Sequence, residues 1–284
     1  MKVLMPFFRR CVVSGAVLAG CLGQAHAESA PLRTAVDSTF APHAMAKLDG
    51  GVQGFNVDLG QEIAKRLGRE IKIEPAEFSG LVPGLNSRRY DFLIAPVTVT
   101  PERAKTLLFT EGYLDTDYTF LEKKDAPALQ NLEQLKGKVI AVNKGSNYES
   151  WAKDNAEKYG FRYDVYGGNA DAVQAVLAGR ADYNLAGTTV VAWAAKQNPR
   201  LATSYTIKTG LVWALAFRKD DREGRQQVSN VLKCMKQDGT VSALAKKWFG
   251  FAPKPDDWAV RIAPGTGVPD MDGYDATLVT PKCG

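Results

Sequence analysis

A strand–helix–strand order that runs once and then starts again is what most limits the folds open to this chain. Residues 32–36 read as a short strand, 56–68 as an amphipathic helix with Val57, Ile63, Ala64 and Leu67 inward, and 71–73 as a second strand. A helix over 80–88 and a strand over 91–95 continue the series. After Phe120-Leu121-Glu122-Lys123 it begins again, with strands at 138–143, 162–166 and 183–186 and helices at 150–159 and 170–178. An extended apolar run at 212–218 precedes helices at 224–237 and 241–249. Such alternation builds α/β units, mostly parallel sheets covered by helices, and here it builds two of them. From Phe251 onward, Pro253, Pro255, Pro264 and Pro269 among Gly and Asp predict an irregular extension.

The first residues carry an export signal. Lys2, Arg9 and Arg10 precede a short apolar, small-residue run, and Ala25-His26-Ala27 supplies a small-x-small cleavage pattern. The run is well short of the roughly 20 apolar residues of a membrane span. Leu18-Ala19-Gly20-Cys21 also matches a lipobox, in which Cys21 would be lipidated, so a soluble and an anchored form both stay open. Either way the mature chain is expected in the periplasm.

Removing residues 1–27 changes the charge argument. Lysines and arginines fall from 36 to 33 against 31 acids, so a formal charge of +5 drops to about +2. Basic residues are interleaved with acids, which leaves no stripe suited to nucleic acid. Of two histidines only His43 survives, so no metal site is expected. Gly50-Gly51 and Gly167-Gly168 lack the strand-to-helix setting of a phosphate loop, and His43 has no evident Ser or Cys partner. No cofactor is implied. Of four cysteines, Cys234 and Cys283 remain, and in an oxidising compartment they most simply pair, closing a loop of about 50 residues.

One short segment carries the chemistry. Thr100-Pro101-Glu102-Arg103 opens a helix, with Thr100 as N-cap and Pro101 in the first helical position. Arg103 then sits in a first helical turn, where a guanidinium fork beside free amides suits a carboxylate.

Six segments, that one included, stand in a telling order: residues 54–59, Gly-Phe-Asn-Val-Asp-Leu; 78–85, Phe-Ser-Gly-Leu-Val-Pro-Gly-Leu; 98–103, Thr-Val-Thr-Pro-Glu-Arg; Gly145-Ser146; 179–182, Gly-Arg-Ala-Asp; and Asp238-Gly239-Thr240 ahead of Lys247-Trp248-Phe249-Gly250. Together they make residues 32–250 resemble the bacterial extracellular solute-binding proteins of family 3, periplasmic receptors of polar amino acid ABC importers. The resemblance implies a type II periplasmic binding protein fold, two α/β lobes joined by two crossover strands. Lobe 1 would comprise 28–122 plus 218–250 and lobe 2 123–217, with hinges near 120–123 and 214–218 and residues 251–284 as an extension. It also implies a monomer that takes a small carboxylate ligand, closes around it and docks on an ABC transporter permease.

Residue roles follow from the same resemblance. Phe40 and Phe78 match aromatic platforms for the ligand body, Arg103 and Thr98 the lobe 1 anchors, and Ser146 and Asn147 the lobe 2 turn that completes the carboxylate clamp. Asp37 aligns with a position that helps set specificity. Each also has an ordinary use: Phe40 and Phe78 as core, Ser146 as an N-cap, Asp37 as a turn residue.

The departures bear on the ligand. Where amino acid receptors carry an aspartate for the α-ammonium, this chain has Gly187, which has no side chain to offer. An unpaired cation in a closed cleft costs several kcal/mol, so an organic acid or modified amino compound is expected, unless Asp37, Asn184 or Asp117 supplies the contact. Pro96, His43 and Asn56 also depart from the usual residues. Two other classes share the fold. A cyclohexadienyl-dehydratase-like enzyme would need a poised acid or base, for which Glu77, Asp115, Asp117 and His43 are candidates, and an accessory protein of a periplasmic dehydrogenase would act by docking. The binding protein is the expectation, without catalysis.

Overall fold

In a computed structural model of the protein, residues 1–2, 30–278 and 280–283 are described. The leader, with its cleavage pattern and Cys21, lies outside them. No described helix is long and apolar enough to cross a membrane.

The first unit opens with β1 (Leu32–Val36), followed by the short pair β2 (Met45–Ala46) and β3 (Val52–Gln53), α1 (Phe55–Arg66), and β4 (Ile71–Pro75), which lies parallel to β1. Gly54 begins α1 at φ 142°, and a Cβ there would strike the His43 carbonyl, so only glycine lets residues 42–43 lie across the helix end. The Pro42 and His43 carbonyls then accept from the Phe55 and Asn56 amides at 3.0 Å each. That contact fixes His43 and Asn56 side by side. Next come α2 (Phe78–Asn86), β5 (Leu93–Thr98), α3 (Pro101–Thr106) and β6 (Leu107–Phe109). As expected, Pro101 opens α3 and Thr100 caps it, its Oγ1 accepting from the Arg103 amide at 3.2 Å.

After β7 (Leu114–Lys123) and a 3-10 turn at Leu132–Leu135, the second unit is built from β8 (Val139–Asn143), α4 (Asn147–Tyr159), β9 (Arg162–Tyr166), α5 (Asn169–Leu177), β10 (Tyr183–Gly187) and α6 (Thr188–Gln197). β8 lies parallel to both β9 and β10. Then β11 (Leu201–Arg218) returns antiparallel to β7 and reaches β5 and β6, and α7 (Arg222–Gln237) and α8 (Thr240–Phe249) cover the first unit.

Three features differ from the sequence expectation. β11 extends far N-terminal of 212, because residues 201–211 form a half-exposed ribbon on β7 whose Thr, Ser and Lys residues hide the strand period. α6 directly follows β10, its start masked by β-branched residues. And α4 begins at Asn147, since Ser146 rather than a later residue accepts its first free amide. Tyr118–Glu122 of β7 pair with β10, while Trp213–Arg218 of β11 pair with β5 and β6. The register of β11 on β7 shifts between Thr203 and Thr206 and again between Ile207 and Leu211.

Beyond α8 the chain folds back along α7. Cys234 and Cys283 form a disulfide, and Lys233 and Lys236, flanking Cys234 on the same helix, reach Glu111. Glu111 also accepts from the Ala263 amide at 2.8 Å, so the extension is held to the β6–β7 connection by a buried charge cluster.

Candidate functional site

Most of the sequence-predicted residues meet at one seam, where the ends of β1, β5 and α3 face the turn before α4 and the end of β10. Arg103 is the centre. Its Nη1 donates to the Thr98 carbonyl and its Nη2 to the Gly145 carbonyl, both at 3.1 Å, and its guanidinium lies 5.7 Å over the Phe78 ring. Both bonds go to backbone carbonyls and neither to a carboxylate. Burial pushes the Arg103 pKa down, because water is withdrawn from the cation and the nearby Tyr118, Tyr148 and Glu102 offset only part of that loss.

Across the seam, the segment from Gly145 to Asn147 folds as a cap. Ser146 Oγ accepts from the Glu149 amide at 3.2 Å while Glu149 Oε2 accepts from the Gly145 amide at 2.6 Å, so the hydroxyl serves α4. Asn147 Nδ2 donates to the Tyr118 hydroxyl. Tyr118 and Tyr148 cross edge to face at 4.9 Å, and burial raises the pKa of both phenols, which stay protonated donors.

Asp37 is consumed by structure. Its Oδ1 accepts from the Thr39 amide at 2.9 Å and from Thr39 Oγ1 at 2.6 Å, and its Oδ2 accepts from Asn143 Nδ2 at 3.0 Å. Of the other candidate ammonium partners, Asp117 is engaged, pairing with Lys208 at 2.7 Å and accepting from the Thr209 amide at 3.0 Å. Asn184 Nδ2 donates to the Ala141 carbonyl, while its buried Oδ1 has no hydrogen-bond partner among the described residues.

Phe40 is buried, stacked 6.4 Å from Tyr148 and edge-on to Trp213. Gly187 lies beneath two of these side chains: a Cβ there would stand 2.6 and 2.7 Å from the Trp213 ring and 2.9 Å from the Tyr148 hydroxyl. Sequence reasoning missed Tyr118, Tyr148 and Trp213. Tyr148, directly after Asn147, was within reach of the turn motif; Trp213 carried no local signal.

Two departures in sequence explain each other. His43 Nδ1 and Asn56 Oδ1 are 2.9 Å apart, and Asn56 Nδ2 donates to the Tyr113 hydroxyl at 2.7 Å. With Nδ1 donating to Asn56, His43 Nε2 accepts from Thr189 Oγ1 at 2.7 Å. Burial lowers the His43 pKa to about 4, so the ring is neutral at physiological pH. Pro96 stands on β5 where the register with β11 shifts between Ala214 and Ala216, a place that tolerates its missing N–H.

The four catalytic candidates do not converge. Asp115 accepts from the Trp258 amide at 2.9 Å, Asp117 holds Lys208, Glu77 precedes α2 and faces Gly167, and His43 is bound on both nitrogens. Among the described residues no group of three or more His, Cys, Asp or Glu is gathered to hold a metal.

Comparison with known proteins identifies the family and the fold. Residues 32–251 match the model of the bacterial extracellular solute-binding proteins, family 3. The L-cystine-binding protein TcyJ of Escherichia coli (strain K12) is 31% identical over 228 residues, 78% of this chain and 84% of that protein. The arginine-binding extracellular protein ArtP of Bacillus subtilis (strain 168) is 32% identical over 202 residues, 70% of this chain and 78% of that protein. An ancestral arginine-binding protein bound to arginine superimposes with a TM-score of 0.75 at 32% identity, covering 78% of this chain and 100% of its own. The ancestral amino acid-binding protein AncCDT-1, a precursor of cyclohexadienyl dehydratase, gives 0.72 at 32% identity over 77% of this chain and 95% of its own. The chain belongs to family 3 of the bacterial extracellular solute-binding proteins and has their two-lobed type II fold.

Proposed function

We propose that this protein is an exported, periplasmic solute receptor that takes a small carboxylate at Arg103 and hands it, as a monomer, to the permease of an ABC importer. The observation that carries the reading is the Arg103 guanidinium: half-buried at the seam, stacked on Phe78, and bonded to two carbonyls that leave its other N–H groups free. A desolvated cation of this kind gains most from a planar anion, which the guanidinium fork meets with two parallel bonds. Asn147 and Tyr118 stand across the seam as further donors to such a ligand. Thr98 frames the site through its backbone carbonyl, and Ser146 through the cap its hydroxyl makes with the Glu149 amide. Relatives that bind cystine or arginine make an amino acid the natural comparison. Gly187, with the carboxylates of Asp37 and Asp117 otherwise engaged, supports an acid without an α-ammonium instead. The engagement of Asp115, Asp117 and His43 elsewhere supports a binding role over catalysis.

A thermal-shift screen of residues 28–284 against amino acids, keto acids, hydroxy acids and dicarboxylates tests this, because a ligand bound only by the native state raises the melting temperature. A shift with an acid that disappears in Arg103→Ala supports the reading. A shift that survives Arg103→Ala places the ligand elsewhere.

A further inference from the structure

The seam is bridged by the chain's own groups along its length. Asp37 bonds Asn143, Thr39 Oγ1 accepts from the Asn169 amide at 2.9 Å, His43 bonds Thr189, and Arg103 bonds Gly145. Between these polar contacts lies an aromatic plug. Phe40 and Trp213, the latter paired in the sheet with Thr98 of β5, come from the lobe 1 side, and Tyr148 comes from α4. Trp213 is 1% exposed and Tyr148 3%. One of the two clusters of buried apolar residues crosses the seam: it holds Phe40, Tyr148 and Trp213 together with core residues of both lobes, while the second, around Leu81, Leu93 and Trp258, stays on the lobe 1 side.

Gly187 identifies what the plug requires. Its backbone, at φ −63° and ψ 143°, is open to any L-residue, so glycine is not there for conformational freedom. It is there for room, since any Cβ would run into the Trp213 ring and the Tyr148 hydroxyl.

We propose that Trp213 and Tyr148 act as a built-in occupant of the seam, filling the space over Gly187 and holding the lobes together with no solute bound. These two residues then set specificity. An acid that takes the remaining N–H groups of Arg103 meets an aromatic wall on the Gly187 side that leaves no room for a substituent there. The plug is independent of the carboxylate reading, because every contact in it is between residues of this chain.

The test is an interlobe distance. Lys65→Cys on α1 and Lys153→Cys on α4, both exposed, are spin-labelled in residues 28–284 after unfolding and refolding have stripped any bound solute. Double electron–electron resonance is expected to give one narrow distance, unchanged by added lactate or L-arginine. Gly187→Ala drives a methyl group against Trp213 and is expected to raise the population at other distances roughly tenfold or more. Trp213→Leu, which removes the plug without a wedge, is expected to do the same should Gly187→Ala fold poorly. A stripped wild type with a longer distance that shortens on adding either solute overturns the proposal, as does a distribution unmoved by both variants. Carboxylate binding is read separately through the Arg103→Ala melting shift, so either idea can fail alone.

Discussion

His43 Nε2 lies 2.7 Å from Thr189 Oγ1, a bond from the loop after β1 to the first turn of α6 that ties one lobe to the other. The ring is wholly buried, among Phe55, Trp213 and Phe249, and burial holds its pKa at about 4. The charged groups of α1, α6 and α8 lie outside this contact, and the polar neighbours of the ring are the neutral Asn56 and Thr189.

That depressed value gives stability a pH dependence. The unfolded chain takes a proton on His43 below the ordinary value of 6.5, while the folded chain refuses one until about 4. Stability from this group is therefore complete above 6.5 and is lost as pH falls from 6.5 toward 4, on the order of 3 kcal/mol in all. Denaturant midpoints at pH 7 and pH 5 should differ in the wild type and differ less in His43→Gln, which does not titrate.

Glu111 is a single anion shared by two buried lysines, 2.8 Å from Lys233 Nζ and 2.7 Å from Lys236 Nζ. Desolvation pushes the Lys236 pKa down to about 8 even with that anion beside it. Glu111→Gln leaves both cations without a counter-charge and should cost about 3 to 5 kcal/mol, measured by guanidinium unfolding at pH 7. An unchanged midpoint would mean that the lysines escape to water.

The Cys234–Cys283 bond closes a loop of 49 residues, for which the chain-entropy model gives about 4 kcal/mol. Replacing both cysteines by serine should lower stability by that amount at most. The extension should nevertheless stay docked, because Ala263 and Arg261 still bond Glu111 and Lys236. Trypsin cleavage at Arg261 should therefore remain slow in the cysteine variant and become fast in Glu111→Gln.

Gly54→Ala should be among the most damaging small substitutions. It places a Cβ at φ 142° against the His43 carbonyl and costs at least about 1 to 3 kcal/mol for the backbone alone. Loss of the His43–Asn56 arrangement should follow, visible as a changed imidazole resonance of His43.

What could be read from sequence was what is local. The Thr100–Pro101 cap, the strands at Leu32–Val36 and Arg162–Tyr166 and the placement of Arg103 depend on neighbours a few residues away. The antiparallel ribbon of β7 and β11 was hidden because its exposed half carries polar residues on both faces. The site was legible as positions but not as relations. Gly187 read as a missing acid, whereas the fold shows the space already taken by Trp213, which no spacing rule connects to it. His43 and Asn56 read as two separate departures and turn out to be one hydrogen-bonded pair.

The most direct measurement is a calorimetric titration with three acids of one side chain, chosen as the strongest in the thermal-shift screen: the α-keto, α-hydroxy and α-amino forms, each on wild type and Arg103→Ala. An Arg103-centred site with no ammonium partner predicts that an oxygen acid binds roughly tenfold or more tightly than the amino acid, and that Arg103→Ala costs about 2 kcal/mol or more of that affinity. An amino acid that binds most tightly, or an affinity untouched by Arg103→Ala, would contradict it.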